Sequence, residues 1–195
     1  MDKMRDLRDL LIHEVADLRS AEEQIIEAMP QMIGKTSNPQ LRQALEQHLQ
    51  VTHGHLSRLE QVQRMLGDQN ANQESGGLLS NLFGTGVKCK GMEGLIDEGQ
   101  KVMGEDMNPE VLDAAIIACA QKIEHYEICG YGTARAFARQ LGLTEVERLL
   151  EQTLDEEHQA DELLTSMALN NVNLMAETSS GTTGTMGNSS YNTNR

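Results

Sequence analysis

Ionisable side chains interrupt four apolar stripes of this sequence at positions where core residues are due. Stepping by threes and fours from Leu11 meets Val15, Leu18, Glu22, Ile25 and Met29, so one carboxylate takes a core position on a helical face. The same walk from Leu41 meets Leu45, His48, Thr52, His55 and Leu59. From Ile117 it meets Ala120, Glu124, Glu127, Tyr131 and Ala134. From Val146 it meets Leu150, Thr153, Glu157, Ala160 and Leu164, with Asp161 one turn beyond Glu157 on the flank. An isolated carboxylate in a core protonates or finds a partner, and several together repel one another. Cations remove that repulsion. Carboxylate oxygens with imidazole nitrogens suit iron or manganese, and inward Glu and His from facing helices are how two-metal bundles build their centres. Glu22, Glu124, Glu127, Glu157 and Asp161 are therefore candidate oxygen ligands, and His48 or His55 candidate nitrogen ligands. A buried hydrogen-bond network is the competing reading of any single break, but four coincident breaks favour metal.

The remaining candidates are weaker. His13, His53, His125 and His158 fall off the stripes or on their edges and read as surface or boundary residues. Tyr131, one turn past Glu127, can hydrogen-bond a ligand or take part in redox chemistry, although a satisfied buried hydroxyl is the commoner case. In the run Asp155 to Glu157 only Glu157 turns inward, the other acids reading as a solvated face. Lys88 and Lys90 can lower the pKa of the Cys89 thiol, yet no matching base accompanies it. No phosphate-cradling loop, dinucleotide glycine pattern or Ser/His/Asp arrangement is present.

Four long helices have to carry these groups. The first is expected from about Asp6 to Ile33, with Pro30 disturbing its last turn and Gly34 ending it. Ser37, Asn38 and Pro39 offer a cap and a first helical residue for a second helix that runs to Gly67. Asp68 to Gly91 is polar and Gly-rich apart from the patch Leu78 to Phe83, and MEGLIDEGQKVM then suggests a short extra helix. Asn108 and Pro109 open a third long helix ending near Gly142, and Thr144 with Glu147 reads as a capping box starting a fourth. Connections that run short, long, short describe an all-α, ferritin-like four-helix bundle with one long crossover, spanning residues 1–177. Residues 178–195, rich in Ser, Thr, Gly and Asn, are expected to form a disordered polar tail.

Composition agrees. The 195 residues are 38% hydrophobic, with no Trp, two Phe and 11 Met, which favours a helical core of Leu, Ile, Ala, Met and Val over a β-sandwich. A net charge of −14 makes nucleic acid and anionic membrane surfaces poor partners. The longest apolar run, Ala114 to Ala120, is far short of a membrane span, and the first ten residues have no signal-peptide core, so a cytoplasmic protein is expected. Three cysteines without a CxxC fit reduced thiols.

The stretches AEEQ at 21–24, HLQVTHGH at 48–55, KCKGMEGLIDE at 88–98, KIEHYEICGYGT at 122–133, TLDEEHQAD at 153–161 and ALNNVNLMAE at 168–177 resemble the YciE/YciF family of bacterial ferritin-like proteins over Met4 to Glu177. The resemblance implies a ferritin-like bundle with a two-metal site, a homodimer, and an association with general stress responses, without a defined reaction. It places the family's inward carboxylates on Glu22, Glu124, Glu127 and Glu157. One departure stands on the second helix, where members read HLEET and this chain reads HLQVT at 48–52, so that Val51 replaces an acid. The expected site is therefore asymmetric: one ion held, a second position weak. Any chemistry there would be a metal-centred reaction with oxygen or peroxide; the alternative is a non-catalytic structural or interaction protein with a degenerate metal site.

Overall fold

The protein, described by a computed structural model over residues 4–68 and 88–179, is helical throughout those residues, with no strand among them. Helix α1 spans Leu7–Lys35 and α2 spans Pro39–Asp68. The short α3 spans Lys90–Val102, α4 spans Pro109–Gln140 and α5 spans Thr144–Met167. A π-helical turn over Ala168–Val172 leads from α5 into α6, Asn173–Ser179. The crossover expected between Gly67 and Met92 lies outside the described residues at 69–87, and the expected tail lies outside them from 180 onward.

Local chemistry explains most boundaries. The Asp6 carboxylate accepts from the Asp9 amide at 2.9 Å and caps α1. Pro30 faces solvent, and α1 runs past both it and Gly34 to Lys35. The Asn38 side chain accepts from the amides of Gln40 and Leu41 at 2.9 and 3.1 Å, which caps α2 as its sequence predicts. The expected capping box at Thr144 is not formed: Thr144 is already helical, and Leu143 stands at the cap with no side-chain bond. Between α4 and α5 the chain turns through Gly142 at φ +69, a left-handed conformation that costs glycine nothing.

Packing sets the topology. One apolar plug joins Leu11, Val15 and Leu18 of α1 to Leu59 and Leu66 of α2, Ala134 and Ala138 of α4, and Val146 and Leu150 of α5. A second joins Met32 of α1 to Leu41 and Leu45 of α2, Ile116 and Ala120 of α4, and Leu164 of α5. The start of α1 and the start of α5 thus share one end of the bundle with the finish of α2 and the finish of α4. Chain leaving α2 has to travel the length of the bundle to begin α4, the mark of a crossover topology. On that return α3 packs Met92 against Ala21, Ile25, Met29 and Ile123. Its first turn is tied to α1: the Cys89 amide donates to the Ser20 hydroxyl oxygen at 3.0 Å, and the Cys89 carbonyl accepts from the Gln24 side-chain amide at 3.1 Å. The middle of every long helix lies between the two plugs, and there the ionisable residues meet.

Candidate metal centre

The helical period alone brings the breaks in the stripes face to face. Glu22 on α1, His55 on α2, Glu127 on α4 and Glu157 on α5 are fully or almost fully buried, with Glu124 beside them. Ligand-type atoms of Glu22, His55 and Glu157 lie within 4.8 Å of one another, and those of His48, Glu124 and Glu157 form a second such group. Glu157 belongs to both. His55 Nδ1 stands 2.8 Å from Glu157 Oε1 and 3.4 Å from Glu22 Oε1. His48 Nε2 stands 3.3 Å from Glu124 Oε1 and 3.9 Å from Glu157 Oε2. Glu127 adds its charge to this set beside Glu22, Glu124 and Glu157 but joins neither group.

These close approaches are not a satisfied hydrogen-bond network. Glu22 Oε2, His55 Nδ1, Glu124 Oε2, Glu127 Oε1 and both oxygens of Glu157 are buried without a hydrogen-bond partner. The 2.8 Å contact between His55 Nδ1 and Glu157 Oε1 brings a cationic imidazole against a carboxylate. Donor atoms gathered and left unpaired in a core are costly unless something positive sits among them. Oxygens with one or two imidazole nitrogens are what iron(II), manganese(II) and related ions accept, so the residues present fit such an ion.

Burial and crowding shift the titration of these groups without any metal present. Burial, reinforced by the neighbouring carboxylates, holds Glu124 and Glu127 well above the usual carboxylate range. Burial also raises Glu22, against the pull of His55. Burial works to raise Glu157 as well, but His55 beside it prevails and leaves it lowered. The imidazole of His55, which burial alone would lower, is raised to about 10 by Glu157 and Glu22. His48, flanked less closely, is lowered by its burial.

A second layer holds the ligands. The Tyr131 hydroxyl donates to Glu22 Oε1, giving the buried phenol its partner. His55 Nε2 lies 3.0 Å from Glu156 Oε2, and Arg58 grips both Glu156 oxygens at 3.0 and 2.7 Å. Glu156 was expected on a solvated face; it is instead half-buried and orients His55 through its second nitrogen, as carboxylates behind metal-bound histidines do. Glu156 adjoins Glu157 on α5, so stripe counting assigns it outward, and only the length of Arg58 reaching across from α2 turns it back.

Other expected residues fall elsewhere. Asp161 accepts from Gln121 at 2.9 Å and lies 3.5 Å from exposed His125, and it joins neither ligand group. His53 and His158 are exposed and His13 half-buried. The thiol of Cys89, far from being lowered by its lysine neighbours, is raised by burial and by Asp17, whose carboxylate it meets at 3.0 Å. Tyr126 joins that pair at 2.9 Å from Cys89 Sγ, its ring lying over Gly91, where a Cβ would come within 2.6 Å of it.

A family model described as Domain of unknown function (DUF892) matches residues 6–177. The chain belongs to this family. Protein YciF of Escherichia coli K12 is 43% identical to this DUF892 chain over 174 residues, 89% of the chain and 97% of YciF. The crystal structure of the E. coli stress protein YciF, 41% identical, matches with a TM-score of 0.75 over 87% of this chain and 99% of its own. YcfI of Rhodopseudomonas palustris, described as a candidate structural protein, is 38% identical with a TM-score of 0.72, covering 84% of this chain and 96% of its own. A Xanthomonas campestris protein at 18% identity and TM-score 0.64 shares the DUF892 chain's fold, covering 90% of it and 99% of its own length. The helical bundle and the stress-protein kinship are thus common ground.

Proposed function

We propose that this protein holds iron or manganese between its four long helices, with Glu22, His55 and Glu157 at one position and His48, Glu124 and Glu157 at a second. The gathering of unpaired buried donor atoms around Glu157 is the observation that carries the reading. Glu127, held protonated by burial without metal, would add negative charge once a cation displaced its proton, and Asp161 stands outside the inner set. A metal bound there would supply redox or Lewis-acid chemistry toward oxygen or peroxide. The chain's own part is to fix the donors, exclude bulk water from the His55 side and hold Glu22 through the Tyr131 hydroxyl. Kinship with a stress protein supports this setting, and a cytoplasmic homodimer completes it.

The test is metal content after purification without chelators, followed by titration with iron(II) or manganese(II) under argon and an assay of peroxide consumption. One ion held firmly per chain and a second held weakly is expected. A chain that arrives metal-free and binds neither ion refutes the proposal.

A structural or interaction protein with a degenerate site is the second reading. It is favoured by Val51, which stands where the family resemblance implies an acid, and by His55, whose proton can serve as the buried positive charge. If chelators leave the melting temperature unchanged while Glu22→Leu raises it, this reading prevails.

A further inference from the structure

The two ligand groups differ in their access to solvent. Glu22, His55 and Glu157 are each 0% exposed, sealed by the apolar plug that contains Leu18, Leu59 and Tyr131. The side chain of His48 keeps 13% of its surface exposed. A groove of about 290 Å³ between α2 and α5 reaches it, lined by Ala44, Val51, Glu156, Ala160 and Leu163, with His48 and Glu124 also on its wall. Val51 and Leu163, 37% and 48% exposed, form part of that lining. The overall charge of −14 draws cations toward the molecule as a whole, while Glu156 in the wall is held by Arg58 and His55. On the opposite side of His48 and Glu124 lies only a narrow apolar cavity of about 30 Å³, lined by Ala28, Met29, Met32 and Met103 among others.

We propose that divalent cations reach and leave the centre through the α2–α5 groove, so that His48–Glu124–Glu157 is the exchangeable position and Glu22–His55–Glu157 the retained one. This rests on the metal reading above and adds a direction to it. Ion exchange needs water to replace protein ligands one at a time, and among the described residues the groove is the wider of the two openings beside His48 and Glu124. Val51 stands at the same place: its apolar side chain in the groove wall offers no charge to the exchangeable position.

Cobalt(II) serves as the probe, because its visible absorption reports protein ligation directly. The full chain, loaded with excess cobalt(II) and mixed with EDTA, should release metal in two phases at least tenfold apart in rate. His48→Asn should remove the fast phase alone. Val51→Phe and Leu163→Phe, made separately at part-exposed positions that tolerate bulk, should slow the fast phase at least threefold and leave the slow phase and the equilibrium absorbance unchanged. Ala28→Leu, which fills the opposite cavity, should leave both phases as they are. Circular dichroism confirms that each variant is folded. A fast phase indifferent to both groove variants, a single phase, or a fast phase slowed by Ala28→Leu overturns the groove as the route while the metal reading survives. Failure of the wild-type chain to bind cobalt at all overturns both.

Discussion

A carboxylate at position 51 would rise from α2 into the groove beside His48 and Glu124. At 37% exposure residue 51 belongs to the wall of the weaker position. Val51→Glu should therefore raise metal stoichiometry toward two per chain. Without metal it should cost less than about 1 kcal/mol, since the new acid can reach water. Destabilisation that added iron or manganese fails to rescue would count against the site. The acid-base behaviour of His55 makes a separate prediction for chelator-treated protein. Its folded pKa, raised to about 10 from an ordinary 6.5, means the folded state keeps a proton that the unfolded chain releases. The stability this confers is fully present below pH 6.5 and is lost as pH rises through about 10. Glu22, Glu124 and Glu127, all raised, work in the same direction above the ordinary 4.5 of a glutamate, because the folded state again holds the extra protons. Urea midpoints of the stripped protein should fall between pH 6.5 and 10, and those of metal-loaded protein should fall less. A flat or rising midpoint would contradict the charge arrangement. These core residues were legible in the sequence because each breaks an apolar stripe. Glu156 and Arg58 were not, since their roles depend on side-chain reach between helices, which periodicity does not encode.

Among the elements, the turn from α1 to α2 shows how a helix far along the chain can set a local geometry. Asp113 of α4, 3% exposed, accepts from the amides of Ser37 and Asn38 at 2.8 and 2.9 Å and from the Ser37 hydroxyl at 2.5 Å. Asp113→Ala should leave those donors unmatched in a half-buried turn and cost about 2 to 4 kcal/mol, read as a lower urea midpoint. Asp113→Asn, which keeps acceptor oxygen, should cost less. The sequence shows Asn38 and Pro39 as a helix start because capping is local, while the brace from Asp113 is a long-range contact. The same distinction explains why Thr144 misleads: the pattern of a capping box is present, but the tight turn through Gly142 brings Thr144 into the helix before it can cap. The π-helical turn at Ala168–Val172 had no compositional signal, for its extra residue per turn serves to bury Val172 against the second plug.

The whole molecule is two apolar plugs with a charged middle, and its stability should depend on what neutralises that middle. Far-UV circular dichroism should be strongly helical, and a sheet-dominated spectrum would refute the fold. Chelation should lower the melting temperature, because a cation bound only by the folded bundle stabilises it by mass action, by about 2.7 kcal/mol at a hundredfold excess over its dissociation constant. Four periodic stripes made the bundle readable from sequence, and the order of short and long connections made its crossover readable. What they left hidden was how unequally the two ends of the ligand set meet solvent. In a bundle that holds metal as proposed, Glu157 would serve both ligand groups. Because the two positions would share one carboxylate, filling either would weaken the other, and by linkage the penalty would be the same in both directions. Such negative cooperativity would stretch the binding curve over a wider concentration range than one independent site would show. A rising metal concentration would then be met by a graded sequence of half-loaded and fully loaded molecules, closer in behaviour to a buffer than to a switch.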